Sequence, residues 1–287
     1  MKIGLVQAVF PAGRLQENYK TMTEFARQAK DAGVEILCFP ELSLTGYCRT
    51  TVQTLNFMVL EKYISRQDSQ VTAPNLTGAK MWGSLCQLAM QLQVAITFGT
   101  VEKAADKFFI TTYICDVDGQ VYEYRKTHLG KREAEVFVAG AELPVFSLKS
   151  GARIGILSCS DNHYPEAVQT LALKGARLIL APFAVPGNIT ERKKIWSKYL
   201  VARAYDNRVF VAAVNQLGQT ETSKTFAGGA VVYDPGGEIV AQNFNGEQGL
   251  LLAEINLDLA EKFWQRQGSG DHNLCFPLVR KPELYRI

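Results

Sequence analysis

The sequence holds six cysteines in 287 residues, and no two of them stand as Cys-x-x-Cys. That spacing marks small zinc sites and dithiol redox centres, so neither chemistry is expected. Long apolar runs are missing as well. None reaches the roughly 18 residues of a membrane-crossing helix, which leaves no membrane partner in view. The opening MKIGLVQAVF is interrupted by Gln7 and closed by Pro11; it reads as a strand rather than a secretory leader. Charge of one sign is scarce: 31 Lys and Arg against 28 Asp and Glu leave +3, too even a balance for a nucleic-acid footprint. The densest basic trio, Arg192-Lys193-Lys194, reads as a solvated helix face. No Gly/Ser linker or low-complexity tract divides the chain, so residues 1–287 are expected to form one domain.

What is present is an ordered alternation of apolar patterns in a chain that is 47% hydrophobic. Lys2–Phe10 is a strand candidate. Leu15, Tyr19, Met22, Ala26 and Ala29 recur at helical spacing, so Leu15–Ala32 is an amphipathic helix ended by Gly33. Val34–Phe39 is a short buried strand that stops at Pro40-Glu41. The polar stretch from Gly46 to Gly78 reads as a long loop with a helix around Leu55–Tyr63. Ala79–Gln93 is a helix and Val94–Val101 a strand. Asp118-Gly119 then turns a hairpin between Phe109–Val117 and Gln120–Tyr124. The pattern repeats as strand Ala152–Cys159, helix Tyr164–Lys174, strand Ala176–Pro182, helix Thr190–Asp206 with Thr190 as N-cap, and strand Arg208–Gln216. Gly229–Tyr233, Ile239–Gln242 and Gly249–Leu257 are further strands, and the chain from Trp264 on is irregular. Such alternation implies an α/β fold with helices packed on sheets. Several cysteines fall inside the apolar runs, where a free thiol acts as a small hydrophobe; that pattern fits a reducing, cytoplasmic compartment.

Three reactive side chains follow apolar strands: Glu41 after VEILCFP, Lys126 after VYEYR and Cys159 after RIGILS. Strand ends of an open α/β sheet are where ligands usually bind. A nucleophile, a base and a cation are the parts that covalent hydrolysis needs. The segments FPELSLTGY (39–47), YRKTHL (124–129) and CSDNHYPE (159–166) resemble those of the nitrilase superfamily of carbon–nitrogen hydrolases. ARAYDNRVFVAAVNQLG (202–218) and RKPELY (280–285) resemble family segments too, so the likeness spans nearly the whole chain.

The resemblance implies a four-layer α-β-β-α sandwich and an amidase that cleaves a non-peptide amide or carbamoyl C–N bond. In that scheme Cys159 is the nucleophile, Glu41 the general base and Lys126 the cation. A second glutamate lies between lysine and cysteine; Glu133 has the commoner family spacing, and Glu135 remains the alternative. Lys126 and the backbone N–H of Ser160 would hold the oxyanion of the intermediate that leads to a thioester. No metal or organic cofactor is implied. Tyr47, Ser160, Asn162, His163 and Phe183 are the expected substrate contacts, Phe183 as an apolar wall within APFAVPG (181–187). Arg, the usual fork for a carboxylate, is absent three and four residues after Cys159, which points to a small aliphatic or neutral amide. Other readings stand beside this one: His128 or His163 as base of a Cys-His hydrolase, a true nitrilase, an ammonia-passing amidotransferase component, and a non-catalytic scaffold. Family members usually pair, so a homodimer or higher homo-oligomer is expected, with 164–174 and 190–206 as its candidate interface.

Overall fold

The computed structural model describes residues 1–47, 60–61, 77–219, 225–265 and 274–284. Strand periodicity dictates its layers, because alternate side chains of a strand point to opposite faces. In β9 (Leu178–Phe183), Leu178 and Leu180 face one core while Ile179, Ala181 and Phe183 face another. In β10 (Phe210–Asn215), Phe210, Ala212 and Val214 share the first core, and Val211 and Ala213 the second. β1 (Lys2–Gln7) divides in the same way, with Ile3 and Leu5 turned to the core shared with β9 and β10. Strands that are apolar on both faces require cover on both.

The result is two mixed sheets packed face to face, each covered by helices on its outer side. The first sheet runs β15-β1-β2-β4-β5-β6, with β2 at Ile36–Cys38, β4 at Ala95–Ala104, β5 at Lys107–Cys115, β6 at Val121–Arg125 and β15 at Gly249–Glu254. A two-residue strand β3, Leu60–Glu61, pairs parallel to β4 off this path. The second sheet runs β14-β13-β10-β9-β8-β7, with β7 at Val145–Ser147, β8 at Arg153–Ile156, β13 at Ala230–Tyr233 and β14 at Ile239–Asn243. A separate ribbon joins β11 (Leu217–Gln219) to β12 (Thr225–Ala227). Helices α1 (Leu15–Asp31) and α2 (Thr77–Leu92) cover the first sheet; α3 (Pro165–Leu173) and α4 (Ile189–Asn207) cover the second. This is the α-β-β-α sandwich, with registers such as Ile3↔Ile36 and Phe210↔Leu178 in its parallel pairs.

Several expectations need correction. Of the helix expected around Leu55–Tyr63, only Leu60–Glu61 is described, and it is a strand paired with Glu102–Lys103; the other positions lie outside the described residues. The N-cap of α4 is Asn188, whose Oδ1 accepts from Glu191 N at 2.8 Å, so Thr190 sits inside the helix. The chain beyond β15 carries helix α5, Leu257–Gln265, and a short α6, Phe276–Val279. The basic trio is not uniformly solvated: Arg192 is buried at 7% exposure, while Lys193 and Lys194 are exposed. Cys86 of α2 and Cys115 of β5 are joined in a disulfide, leaving Cys38, Cys159 and Cys275 as free thiols among the described residues. Among those residues, no helix is long and apolar enough to cross a membrane.

Candidate functional site

Three loops meet where strands of both sheets end. The first follows β2. Phe39 N donates to Thr97 O and Leu44 N to Gly99 O, both at 2.9 Å, pinning the turn against β4. Gly99 is required for this approach, since a Cβ there would fall 2.3 Å from Leu42 N. Leu42 is held at φ 54°, a conformation that L-residues adopt at a cost. The clamped turn buries Glu41 completely.

The second loop follows β6. Lys126 N donates to Ile110 O, and Gly140 N to Lys126 O at 2.8 Å. Gly140 also marks a close approach, with a Cβ there 2.3 Å from Arg125 O. The third loop follows β8. The expected strand Ala152–Cys159 ends at Ile156, and Cys159 instead opens a 3-10 turn, Cys159–His163, with φ 50°. Backbone strain at both Leu42 and Cys159 is typical of sites where geometry is over-determined.

Lys126 is the hub. Its Nζ lies 2.9 Å from Glu41 Oε1 and 2.9 Å from Glu133 Oε2, and all three side chains are buried. Glu133 also accepts from Tyr47 OH at 2.8 Å and from Gly130 N at 2.7 Å. Glu41 Oε2 has no partner among the described residues. A cavity of about 280 Å³ opens here, bordered by Tyr47, Lys126, Glu133, Cys159 and Ser160. Ala184, Val185 and Pro186 border it as well.

The electrostatics follow from burial around one cation. Burial pushes the Glu41 carboxyl up to about 7, against the pull of Lys126 and with help from Glu133 and Asp161. Burial and the Glu41 charge push the Cys159 thiol well above its ordinary value, with Lys126 acting in the opposite sense. For Glu133 burial acts upward, but Lys126, the Gly130 N–H and the Tyr47 hydroxyl outweigh it and hold the carboxyl below its usual range. Burial opposes the Lys126 ammonium, but Glu41, Cys159 and Glu133 together raise it well above a free lysine. The resting arrangement is a neutral thiol beside a fixed ammonium and a carboxyl poised to exchange a proton near neutrality.

The expected residues divide in the structure. Glu41, Lys126, Glu133 and Cys159 come together, and Tyr47 and Ser160 border the same cavity. Glu135 is exposed and makes no contact with Lys126. Asn162 is buried beneath the turn, its Nδ2 donating to Leu157 O and Cys159 O. His163 packs against Tyr199, the rings tilted by 35° with centroids 4.4 Å apart. Phe183 is turned to the helix-covered face with Ile179 and Ala181, where it packs on Trp196. Asn162, His163 and Phe183 are therefore not walls of this cavity. His128 is held by Thr127 and Asp161 and stacks on Tyr164 at 3.8 Å; neither histidine borders the cavity. Among the described residues, no group of three His, Cys, Asp or Glu has the arrangement of a metal site.

One residue went unassigned in the sequence although it stands in the third segment. Asp161 is fully buried and accepts from Ser158 N, Tyr124 OH, Thr127 Oγ1 and His128 N at 2.7–3.0 Å. It ties the Lys126 loop of one sheet to the Cys159 loop of the other. Its signal was its place in CSDNHYPE, two residues after Cys159, which names the residue without its partners.

Comparison with known proteins agrees with this architecture. The carbon–nitrogen hydrolase family pattern matches residues 2–265. An (R)-stereoselective amidase from Pseudomonas sp. is 30% identical over 90% of this chain and 86% of its own length. A 2-oxoglutaramate amidase from Bacillus subtilis is 31% identical over 89% of this chain and 90% of its own. The solved structure of an amidase variant from Nesterenkonia sp. has a TM-score of 0.77 and 26% identity, covering 99% of this chain and 95% of that one. In that structure the active-site cysteine bears the acetamide moiety of fluoroacetamide.

Proposed function

This chain belongs to the carbon–nitrogen hydrolase family, and on that premise we propose that it is an amidase in which Cys159 attacks a small-molecule amide. The observation that carries this reading is the buried Lys126 ammonium, 2.9 Å from each of two carboxylates, at the cavity that Cys159 borders. Glu41 takes the thiol proton as sulfur bonds to the amide carbonyl carbon. Oε2 of Glu41, free of other partners among the described residues, is the oxygen suited to this transfer. A carboxyl near pH 7 exchanges protons in both directions at neutrality, as a shared base and acid must. The oxyanion is held by Lys126 Nζ and the Ser160 N–H. The latter lies in the first turn of the 3-10 segment, where backbone donors lack internal acceptors.

Collapse of the tetrahedral species breaks the C–N bond. Glu41 returns its proton to the departing nitrogen, ammonia or an amine leaves, and a thioester remains on Cys159. Water then adds to the thioester carbonyl, giving one proton to Glu41. Glu133, anchored by Tyr47 and Gly130, fixes Lys126 and helps orient that water. The carboxylic acid leaves, and the proton returns to sulfur. No step calls on a metal or organic cofactor.

Residues 1–287 are read as one catalytic domain, because the core between the sheets draws on strands of both halves. A homodimer through α3 and α4 is supported by the exposed Tyr164, which caps α3, and the exposed Ile195 of α4, and analytical ultracentrifugation showing a monomer would overturn it. We assign the protein to the cytoplasm on the free thiols Cys38, Cys159 and Cys275. The Cys86–Cys115 bond weighs the other way, since disulfides are rare in reducing compartments; a thiol count on protein purified without oxidation decides between them. The activity is tested by ammonia release from paired amides and nitriles. Turnover of amides that is lost in Cys159→Ala supports the reading. Turnover of nitriles alone would make the enzyme a nitrilase, and full amidase activity in Cys159→Ala would refute it.

A further inference from the structure

The Ser160 N–H, the backbone donor assigned to the oxyanion, is aimed by the peptide group that joins it to Cys159. Cys159 stands at φ 50°, a conformation that an L-residue takes at a cost unless its neighbours hold it. The bond from Cys159 to Ser160 is trans, as are all the peptide bonds of the described residues. In a planar trans peptide the C=O and the N–H point to opposite sides. Whatever fixes the Cys159 carbonyl therefore aims the Ser160 N–H.

Asn162 fixes that carbonyl. Its Nδ2 carries two hydrogens, and they are spent on Leu157 O at 2.7 Å and Cys159 O at 3.2 Å. A carbonyl only accepts, so the end of the amide that faces both of them is the nitrogen. Asn162 is fully buried beneath the turn, whereas Cys159 and Ser160 border the cavity. The Cys159 carbonyl thus points inward to Asn162. The Ser160 N–H leaves on the other side, the cavity side, and has no acceptor among the described residues.

Two further contacts stiffen the arrangement. From α4, Arg203 Nε donates to Asn162 O at 3.0 Å and Nη2 to His163 O at 3.1 Å, which holds the backbone from which the amide reaches. The Ser160 hydroxyl donates to the carbonyl of His128, two residues after Lys126, so the two oxyanion donors are tied to one loop. Asn162 Oδ1 is buried without a partner among the described residues. An unsatisfied buried oxygen is costly, and the two bonds of the nitrogen are what offset it.

We propose that Asn162 is a positioning residue for the oxyanion site: by holding the Cys159 carbonyl it points the Ser160 N–H at the developing charge. This deepens the amidase reading and rests on it. It also replaces the direct substrate contact expected of Asn162.

The test sets two reactions of the same thiol side by side. Amide hydrolysis passes through a tetrahedral oxyanion when the thioester forms and again when water attacks it. Alkylation by iodoacetamide does not. Sulfur bonds to the saturated carbon as iodide leaves, the thiol proton passes to Glu41 or solvent, and the carbonyl oxygen gains no charge. In Asn162→Ala, kcat for butyramide should fall about 10- to 100-fold, a part of the roughly 10²–10³ that loss of a whole oxyanion donor costs. KM should stay within about threefold and the rate of Cys159 alkylation within about twofold, because ground-state binding and the thiol itself are untouched. Arg203→Gln leaves the amide in place but frees the backbone that carries it; it should lower kcat less and in the same pattern, and it carries the test if Asn162→Ala does not fold. Both rates are referred to the folded fraction, read by near-ultraviolet circular dichroism. Loss of kcat and of alkylation in step would show that Asn162 holds the thiol and not the donor, and would overturn the proposal. An unchanged kcat, with or without a rise in KM, would overturn it too. A wild type that is alkylated at Cys159 but hydrolyses neither butyramide nor any amide of a broad panel would instead remove the amidase reading, and this role with it.

Discussion

Replacing Glu41 by Gln should stabilise the protein at alkaline pH while abolishing its proton transfer. Gln keeps the shape of the protonated acid but cannot ionise. In the fold the Glu41 carboxyl is pushed up to about 7 by burial, against 4.5 for an unperturbed glutamate. A carboxyl raised on folding favours the folded state while protonated. Its contribution is therefore fully present below about pH 4.5 and is lost as pH rises through about 7. That gap corresponds to about 3 kcal/mol at about 1.4 kcal/mol per pH unit. Urea unfolding of wild type and Glu41→Gln should give a difference in unfolding free energy that grows in favour of the variant by about 3 kcal/mol between roughly pH 4.5 and pH 8. Other titrating groups are common to both proteins and cancel in the difference. A difference that stays flat with pH, or a variant that becomes the less stable one at alkaline pH, would refute the picture of a desolvated carboxylate incompletely compensated by Lys126. Such a gain of stability with loss of activity is the trade expected where an active site is held in a costly state.

Further outcomes follow from the same geometry. The kcat/KM profile should rise with pH through about 7 on its acid side, since Glu41 must be ionised to accept the thiol proton; a profile flat down to about pH 5 would contradict Glu41 as base. Asp161→Ala leaves the Ser158 and His128 N–H groups and the Tyr124 hydroxyl without their buried acceptor. It should cost about 3 kcal/mol or more in urea unfolding, at about 1–3 kcal/mol per unsatisfied group. Asp161→Asn should recover part of that stability. Gly99→Ala drives a methyl group to 2.3 Å from Leu42 N. It should lower kcat by at least about tenfold through displacement of Glu41, on the sensitivity of catalysis to misplacement, and intact kcat would show that the Glu41 turn moves freely.

The sandwich was legible because its core strands alternate so regularly. Leu178 and Leu180 against Ile179 and Ala181 give away both buried faces of β9. The amphipathic α1 was equally plain, ending within a residue of its expected boundary. The reading failed where apolar runs outlast the element they belong to. RIGILSC is apolar through Leu157, yet β8 stops at Ile156 because the chain must turn sharply to present Cys159. Helix α5 is hidden in the sequence, although Asn256 accepts from Asp258 N as a cap should, because the apolar pattern of the strand before it continues to Leu257.

In the site, position after an apolar strand together with the family resemblance pointed to Glu41, Lys126 and Cys159, and the resemblance favoured Glu133 over Glu135. Only the turn from Gly130 to Phe137 decides which of the two faces Lys126. Burial of Arg192 was invisible for a related reason. Its neighbours Lys193 and Lys194 are solvated, and position on a helix, not local composition, sets which of three adjacent cations turns inward.

The central claim is that an acyl group resides on Cys159 during turnover. Intact-mass analysis of enzyme quenched in acid while hydrolysing an amide should show a gain equal to the acyl group less one hydrogen, and peptide mapping should locate it on Cys159. The gain should disappear on treatment with hydroxylamine and be absent from Cys159→Ala. An adduct on Cys38 or Cys275, or hydrolysis that persists in Cys159→Ala with no adduct on either protein, would contradict the account.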